Sequence, residues 1–318
     1  MRILRDQIRQ KGDREPSPVP MSRCNVCFRH CRIPEGGRGF CGARICKDGN
    51  IIPENYGKIT SMALDPIEKK PLKRFHPGSL ILSVGSYGCN LRCPFCQNYE
   101  ISWSDHIRQF QDQAQDSGEP CRDRHTEYIS PEELAMTALY YQNKGNIGIA
   151  YTYNEPMIGY EYIRDCAMLV HEQGMKNVLV TNGTAELNVL GEILPYIDAM
   201  NIDLKGFNHN YYNNILRGDL DMVLSFIKEA VKYCHVELTT LIVPGENDSV
   251  EEIRQIARWI SSLEDGKGQV IGQDIPLHVS RFFPRFHMTD RAATQVDKVY
   301  DLAGTAREYL RYVYTGNC

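Results

Sequence analysis

The sequence predicts an α/β fold: a parallel sheet of repeated β/α units, preceded by a small Cys-rich N-terminal extension. From Leu80 onward, six short apolar runs alternate with six amphipathic helical stretches. The runs are rich in β-branched residues and nearly continuous, as strands covered on both faces must be. Polar motifs follow the runs, at the ends where parallel α/β barrels carry their chemistry.

The runs lie at 80–84, 147–152, 177–181, 199–204, 236–243 and 275–279, and the helices are expected at 131–144, 157–173, 186–194, 220–233, 250–263 and 293–309. The helix at 131 has a clear start: Ser130 as cap, Pro131 at the first position, then Glu132 and Glu133 at the positive end of the helix dipole. Six such units make a parallel sheet able to curve into a partial (βα)6 barrel, short of the eight units of a closed one. A chain of 318 residues suffices for one barrel or for two smaller domains.

Ahead of the sheet, residues 1–20 read as an arm, because Pro16, Pro18 and Pro20 favour an extended chain. Residues 21–78 form the Cys-rich extension and a linker, with Gly36, Gly37 and Gly39 suited to tight turns. The barrel takes 79–318, interrupted at 102–128 by a Gln- and Asp-rich surface insertion without period. The formal net charge is −4, with both signs well mixed, so no nucleic-acid partner is indicated. No stretch of about 18 apolar residues exists to cross a membrane, and the polar N-terminus lacks the apolar core of a signal peptide. The expected setting is cytoplasmic, where the 12 cysteines read as metal ligands before they read as disulfides.

Cys89, Cys93 and Cys96 stand in the run GSYGCNLRCPFCQN, a C-x3-C-x2-C loop just after the first strand. Three thiolates so spaced can hold three irons of a [4Fe–4S] cube and leave the fourth open to another ligand. Further polar groups mark the later strand ends: Asn154, Glu155 and Pro156; Thr181, Asn182 and Gly183; Asp203 and Lys205; the PGEN run from Pro244; then His278, Ser280 and Arg281. Singly each has a bland explanation, a turn or a solvated strand end; six together are hard to explain as packing.

A second set, Cys24, Cys27, Cys31 and Cys41, is spaced C-x2-C-x3-C-x9-C, with Cys46 five residues on. Four thiolates suit a closed zinc site or an auxiliary Fe–S cluster of structural or electron-relay role; plain buried thiols are the bland alternative. His30 is an alternative ligand or a surface residue. Cys166 and Cys234 fall on packed faces, and Cys121 in the insertion reads as an exposed thiol. Lys69, Lys70, Lys73 and Arg74 form a basic strip that either faces a macromolecule or is solvated.

The strings DPIEKKPLKRFHPGS, GCNLRCPFCQN, TYNEP, TNG, NIDLKGF and VPGEND resemble those of radical S-adenosylmethionine (SAM) enzymes. The likeness, from about residue 21 to the end, is to their glycyl-radical-activase-like branch, related to pyruvate formate-lyase activating enzyme, and within it to the radical SAM member of the AmmeMemoRadiSam group. It implies a partial (βα)6 TIM-type radical SAM barrel. It further implies an oxygen-sensitive enzyme in which Cys89, Cys93 and Cys96 ligate a [4Fe–4S] cluster. SAM chelates the open iron and is reductively cleaved to a 5′-deoxyadenosyl radical, which abstracts hydrogen from a substrate that the resemblance does not name. Phe95 is implied beside the adenine, Asn154 and Glu155 at the methionyl amine, Thr181, Asn182, Asp203 and Lys205 around the carboxylate and ribose, and His278 near the nucleoside. An electron donor such as flavodoxin or ferredoxin and a protein substrate are the implied partners. Two departures, Val180 where some activases carry Asp and Thr239 where they carry Arg, weaken a direct carry-over of glycyl-radical activation. A non-catalytic Fe–S or zinc redox sensor is the alternative of another class; it has no use for the Glu155, Asp203 and Lys205 set.

Overall fold

The computed structural model describes residues 20–103 and 126–318. The N-terminal arm up to residue 19, and residues 104–125 of the insertion with Cys121, lie outside the described residues.

The extension begins with two antiparallel ribbons, β1 (Met21–Arg23) with β2 (Arg32–Pro34) and β3 (Arg44–Lys47) with β4 (Asn50–Pro53). β5 (Lys58–Ile59) leads into β6 (Ser61–Pro66), and β7 (Leu80–Gly85) follows. After β7 come a single turn, α1 (Tyr99–Ser102), and β8 (Glu127–Tyr128), which pairs back with β5. The repeat then runs α2 (Pro131–Tyr140), β9 (Asn146–Tyr151), α3 (Tyr160–Glu172), β10 (Lys176–Thr181), α4 (Leu187–Ile193), β11 (Ala199–Asp203), α5 (Leu220–Ala230), β12 (His235–Ile242), α6 (Val250–Ser261), β13 (Leu277–Arg281), α7 (Val296–Arg307) and β14 (Val313–Gly316).

One eight-stranded sheet has the order β14-β13-β12-β11-β10-β9-β7-β6. The six expected strands are its parallel centre, β7 and β9 to β13. Two edges extend it: β14 continues the parallel ladder, and β6 pairs antiparallel to β7 from Ser61↔Gly85 to Pro66↔Leu80. The sheet therefore begins inside the segment read as linker, ahead of residue 79. Each expected helix forms, and several start as physics prefers. Ser130 and Glu133 complete a reciprocal capping box, and Asp219 and Ser249 cap α5 and α6.

The N-terminal end of the barrel is plugged by residues 67–75. Ile67 and Leu72 are fully buried against Ile81, Ala150, Val178 and Ala199 from four adjacent strands, each contributing roughly 2 kcal/mol by burial. Asn201 donates to the Pro71 carbonyl at 2.9 Å. The Glu237 carboxylate, buried on β12, accepts from the backbone N–H of Lys73 at 3.0 Å and of Arg74 at 2.7 Å. Of the basic strip only Lys70 is internal, 4% exposed and bonded to Asp65 at 2.9 Å; Lys69, Lys73 and Arg74 are exposed, the Arg74 guanidinium lying over the Tyr312 ring. Among the described residues, no helix is long and apolar enough to cross a membrane.

Burial alone would raise the Glu237 pKa, but His235, His278 and the two plug amides outweigh it and hold the carboxyl down to about 2. Glu237→Ala strands those donors and is expected to lower stability by at least about 2 kcal/mol, read as an earlier denaturant midpoint. Because the folded pKa lies below the usual 4.5, this contribution is present above pH 4.5 and lost as pH falls toward 2. An acid-unfolding profile unchanged by Glu237→Gln would count against the clamp.

Candidate functional site

The cysteine loop leaves β7 at Gly85 and turns sharply at Gly88, where φ is +93°. A Cβ there would meet the Cys41 carbonyl at 2.7 Å, Ile158 at 2.9 Å and Ala43 at 3.0 Å, so only glycine fits. Asn154 pins the same turn, accepting from Ser86 N at 3.0 Å and donating to the Tyr87 and Gly88 carbonyls, both at 3.2 Å. Tyr153 before it is held at φ +72°, a costly conformation for a non-glycine residue, with its hydroxyl on Asp65 at 3.0 Å.

The three thiols of the loop are free and close enough to influence one another electrostatically. Burial pushes the Cys89 thiol well up, and Glu155, Cys93 and Cys96 add to it. Burial likewise takes Cys93 up to about 12, with Lys205 opposing and Cys96 and Asp203 reinforcing. Cys96 is raised by burial and eased by Lys205, Ser102 and Arg92. Thiols so placed stay protonated unless a cation replaces the proton. Among the described residues, no group of three or more His, Cys, Asp or Glu side chains is gathered for a single metal ion; a four-iron cube, whose thiolates bind separate irons, does not demand that. The donor set fits such a cluster.

Around the thiols three strand ends converge. Glu155, 3% exposed, accepts from Met157 N at 3.0 Å, Thr181 Oγ1 at 2.7 Å and Asn182 N at 2.8 Å. Burial nevertheless raises its pKa to about 7, against the lowering effect of those bonds. Asn182 Nδ2 reaches Asn90 Oδ1 at 3.0 Å and the Cys89 sulfur at 3.7 Å. Lys205 pairs with Asp203 at 2.6 Å. Burial opposes its charge, but Asp203 and Cys93 raise its pKa. A π-helical turn at Tyr211–Leu216 brings the Tyr212 hydroxyl to accept from Lys205 N at 3.0 Å.

The structure thus brings Asn154, Glu155, Thr181, Asn182, Asp203 and Lys205 to the loop of Cys89, Cys93 and Cys96. Phe95 packs edge-on against Phe282, ring centres 6.1 Å apart. His278 goes elsewhere: its Nε2 lies 2.7 Å from Glu237 and its ring stacks on Tyr314. It serves the plug clamp, a role not apparent without knowing that Glu237 is buried.

Cys24, Cys27, Cys31 and Cys41 line one pocket with Arg29, Arg44 and Asn90. Burial raises Cys24 and Cys41 and takes Cys27 up to about 12. Cys46 stands apart and bonds Glu35 at 3.5 Å, and His30 pairs with Glu186 at 3.1 Å. Cys166 is fully buried and Cys234 half-buried, as their faces predict.

Residues 83–260, more than half of the chain, match the family profile of the radical SAM superfamily. The chain belongs to the radical SAM superfamily. It is 39% identical to an uncharacterized protein of Methanocaldococcus jannaschii over 93% of this chain and 81% of that one. It is 24% identical to the pyruvate formate-lyase 1-activating enzyme of Escherichia coli over 56% of this chain and 68% of the relative, which puts it in the activase-like branch. Streptococcus suis SuiB, solved with S-adenosylmethionine and with its precursor peptide SuiA, shares the fold with a TM-score of 0.52 at 12% identity, over 73% of this chain and 48% or 47% of that one. Family membership implies a [4Fe–4S] cluster and SAM, and makes the protein an enzyme of SAM-cleaving radical chemistry.

Sequence reasoning missed Asn90, Arg92 and Arg29, which carry the cysteine loop; Asn90 and Arg92 lie within the loop and were overshadowed by its thiols. Gly88→Ala forces both a strained backbone and overlap with the Cys41 carbonyl, so we expect a loss of about 2 kcal/mol or more, seen as a lower melting temperature. A wild-type melting temperature would contradict the close packing of the two segments.

Proposed function

We propose that Cys89, Cys93 and Cys96 ligate the [4Fe–4S] cluster and that Glu155, Asp203 and Lys205 receive SAM in front of it. The observation that carries the reading is convergence of two strand ends on the loop: Glu155, after β9, bonds Asn182, whose side chain reaches the Cys89 sulfur, and the Asp203–Lys205 pair at the end of β11 acts electrostatically on Cys93. When bound, the cluster and SAM supply one-electron cleavage and hydrogen abstraction. The chain's own residues bind, orient and shield. Glu155 has lone pairs left after its three donors and accepts the methionyl ammonium. Lys205 takes the carboxylate, and Asp203 a ribose hydroxyl. Thr181 and Asn182 hold Glu155 in place, Asn154 fixes the loop that carries Cys89, and Phe95 offers an apolar wall to the adenine. His278 has no part in this reading, being held by Glu237.

In this account residues 21–78 are a metal-binding extension and linker whose last strand joins the barrel at 79–318, and its four thiols hold a second Fe–S cluster, or zinc if they close further around a single ion than they do here. The protein works in the cytoplasm with a flavodoxin or ferredoxin as electron donor. The activase-named relative favours a partner protein as substrate. Val180 and Thr239 differ from some activases, so hydrogen abstraction from a protein or peptide is the firmer statement and glycyl-radical formation the narrower one.

Anaerobically reconstituted protein given SAM and dithionite is expected to release 5′-deoxyadenosine, and Cys93→Ala to release none. Cluster loading without any turnover would leave the sensor reading standing instead. A glycyl doublet on a partner, seen by electron paramagnetic resonance, would establish the activase role, and its absence would remove it. Because Glu155 titrates near pH 7, SAM should bind more weakly as pH falls through that value. Glu155→Gln should flatten the dependence and weaken binding about 10- to 100-fold in equilibrium dialysis. A steep pH dependence retained in the Gln variant would assign the amine to another group.

A further inference from the structure

The Cys-rich extension is seated directly on the cysteine loop, and the contact is built from charge. Arg29, between Cys27 and Cys31, donates from Nε to the Asn90 carbonyl at 2.7 Å and from Nη2 to the Arg217 carbonyl. Arg92, between Cys89 and Cys93, donates to the Cys89 carbonyl at 2.9 Å and to the Phe40 carbonyl at 2.6 Å. The two guanidiniums share the Phe40 ring, at 3.4 Å and 4.0 Å from its centre, one residue before Cys41. Burial disfavours the Arg29 charge, while Cys27, Cys31 and Cys89, drawn from both thiol sets, favour it.

A second link runs through amides. The Asn90 side chain lines the pocket of Cys27 and donates to the Thr184 hydroxyl at 2.9 Å. Its carbonyl oxygen accepts from Asn182 Nδ2, the same nitrogen that reaches the Cys89 sulfur. Asn90 and Asn182 therefore run from the pocket of the first thiol set to a sulfur of the second.

We propose that Arg29 and the Asn90–Asn182 amide pair couple the two thiol sites, so that the charge held at Cys24, Cys27, Cys31 and Cys41 sets the reduction potential of the cluster at Cys89, Cys93 and Cys96. The coupling rests on the ligand reading given above. Net charge and hydrogen bonds at sulfur are what fix such a potential. A half-buried cation shared between the sites stabilises the added electron, whereas an anionic tetrathiolate centre next door opposes it. Arg29, Asn90 and Asn182 are positioning residues, since none needs to touch SAM or substrate.

The test is a potentiometric titration of the reconstituted full chain, following the reduced-cluster resonance that SAM perturbs. Arg29→Gln is expected to lower the midpoint potential, and Cys27→Ser, which empties the neighbouring anionic site, to raise it. Arg29→Lys keeps the charge without the carbonyl bonds and should titrate closer to wild type than Arg29→Gln. If Arg29→Gln fails to fold, Cys27→Ser and Arg29→Lys still read the coupling. Variants that load the cluster and titrate at the wild-type potential overturn the coupling and leave the ligand reading intact. A wild-type protein with no such resonance, or one that survives Cys93→Ala, overturns the ligand reading and the coupling together.

Discussion

Everything at the mouth of this barrel depends on one electrostatic constraint: too many acidic groups are buried together. Three thiols of one loop and Glu155 are buried near one another, and burial drives the pKa of each upward. Left to themselves they keep their protons, and as anions they need cations at close quarters. Lys205 and Arg92 supply part of that charge. The remainder fits a metal cluster and a cationic ligand, the two groups that radical SAM chemistry requires.

The fold serves this constraint by making the two ends of the barrel unlike. At the N-terminal end the 67–75 segment fills the interior with Ile67 and Leu72, and Glu237 holds it through two backbone amides and two imidazoles. At the C-terminal end the interior is polar, and the extension is docked beside it. Arg44 fixes that docking from the other side, 6% exposed and 2.7 Å from Glu161 on α3. The extension is thus part of the site's framework. Its contacts at Gly88, Asn90 and Arg92 are to the loop whose sulfurs would hold the cluster.

Most of this architecture was legible because it obeys local rules. The six central strands are continuous apolar runs, and their helices carry regular periodicity and caps. β14 and β6 were missed because edge strands need not be apolar on both faces. β14 is four residues long, and β6 exposes Ser61, Met62 and Ala63 while ending in Asp65-Pro66. The site was legible where residue type alone announces chemistry, as with Cys89, Glu155 and Lys205. It was illegible where function depends on a distant partner. His278 shares the polar strand-end signature of the others, yet Glu237, 41 residues earlier in the chain, takes its imidazole. Arg29 lies 61 residues from the carbonyl it holds, and no local pattern connects the two.

The central claim is that Cys89, Cys93 and Cys96 leave one iron of a four-iron cluster open to SAM. Mössbauer spectroscopy of the anaerobic, iron-loaded protein, recorded before and after SAM is added, tests it most directly. To keep the second thiol set from contributing iron, the same pair of spectra is taken on Cys27→Ser. The account predicts that one iron in four changes its isomer shift on SAM addition while the other three stay put. Four irons that all ignore SAM, or a cluster retained when Cys93 is replaced by alanine, would contradict it.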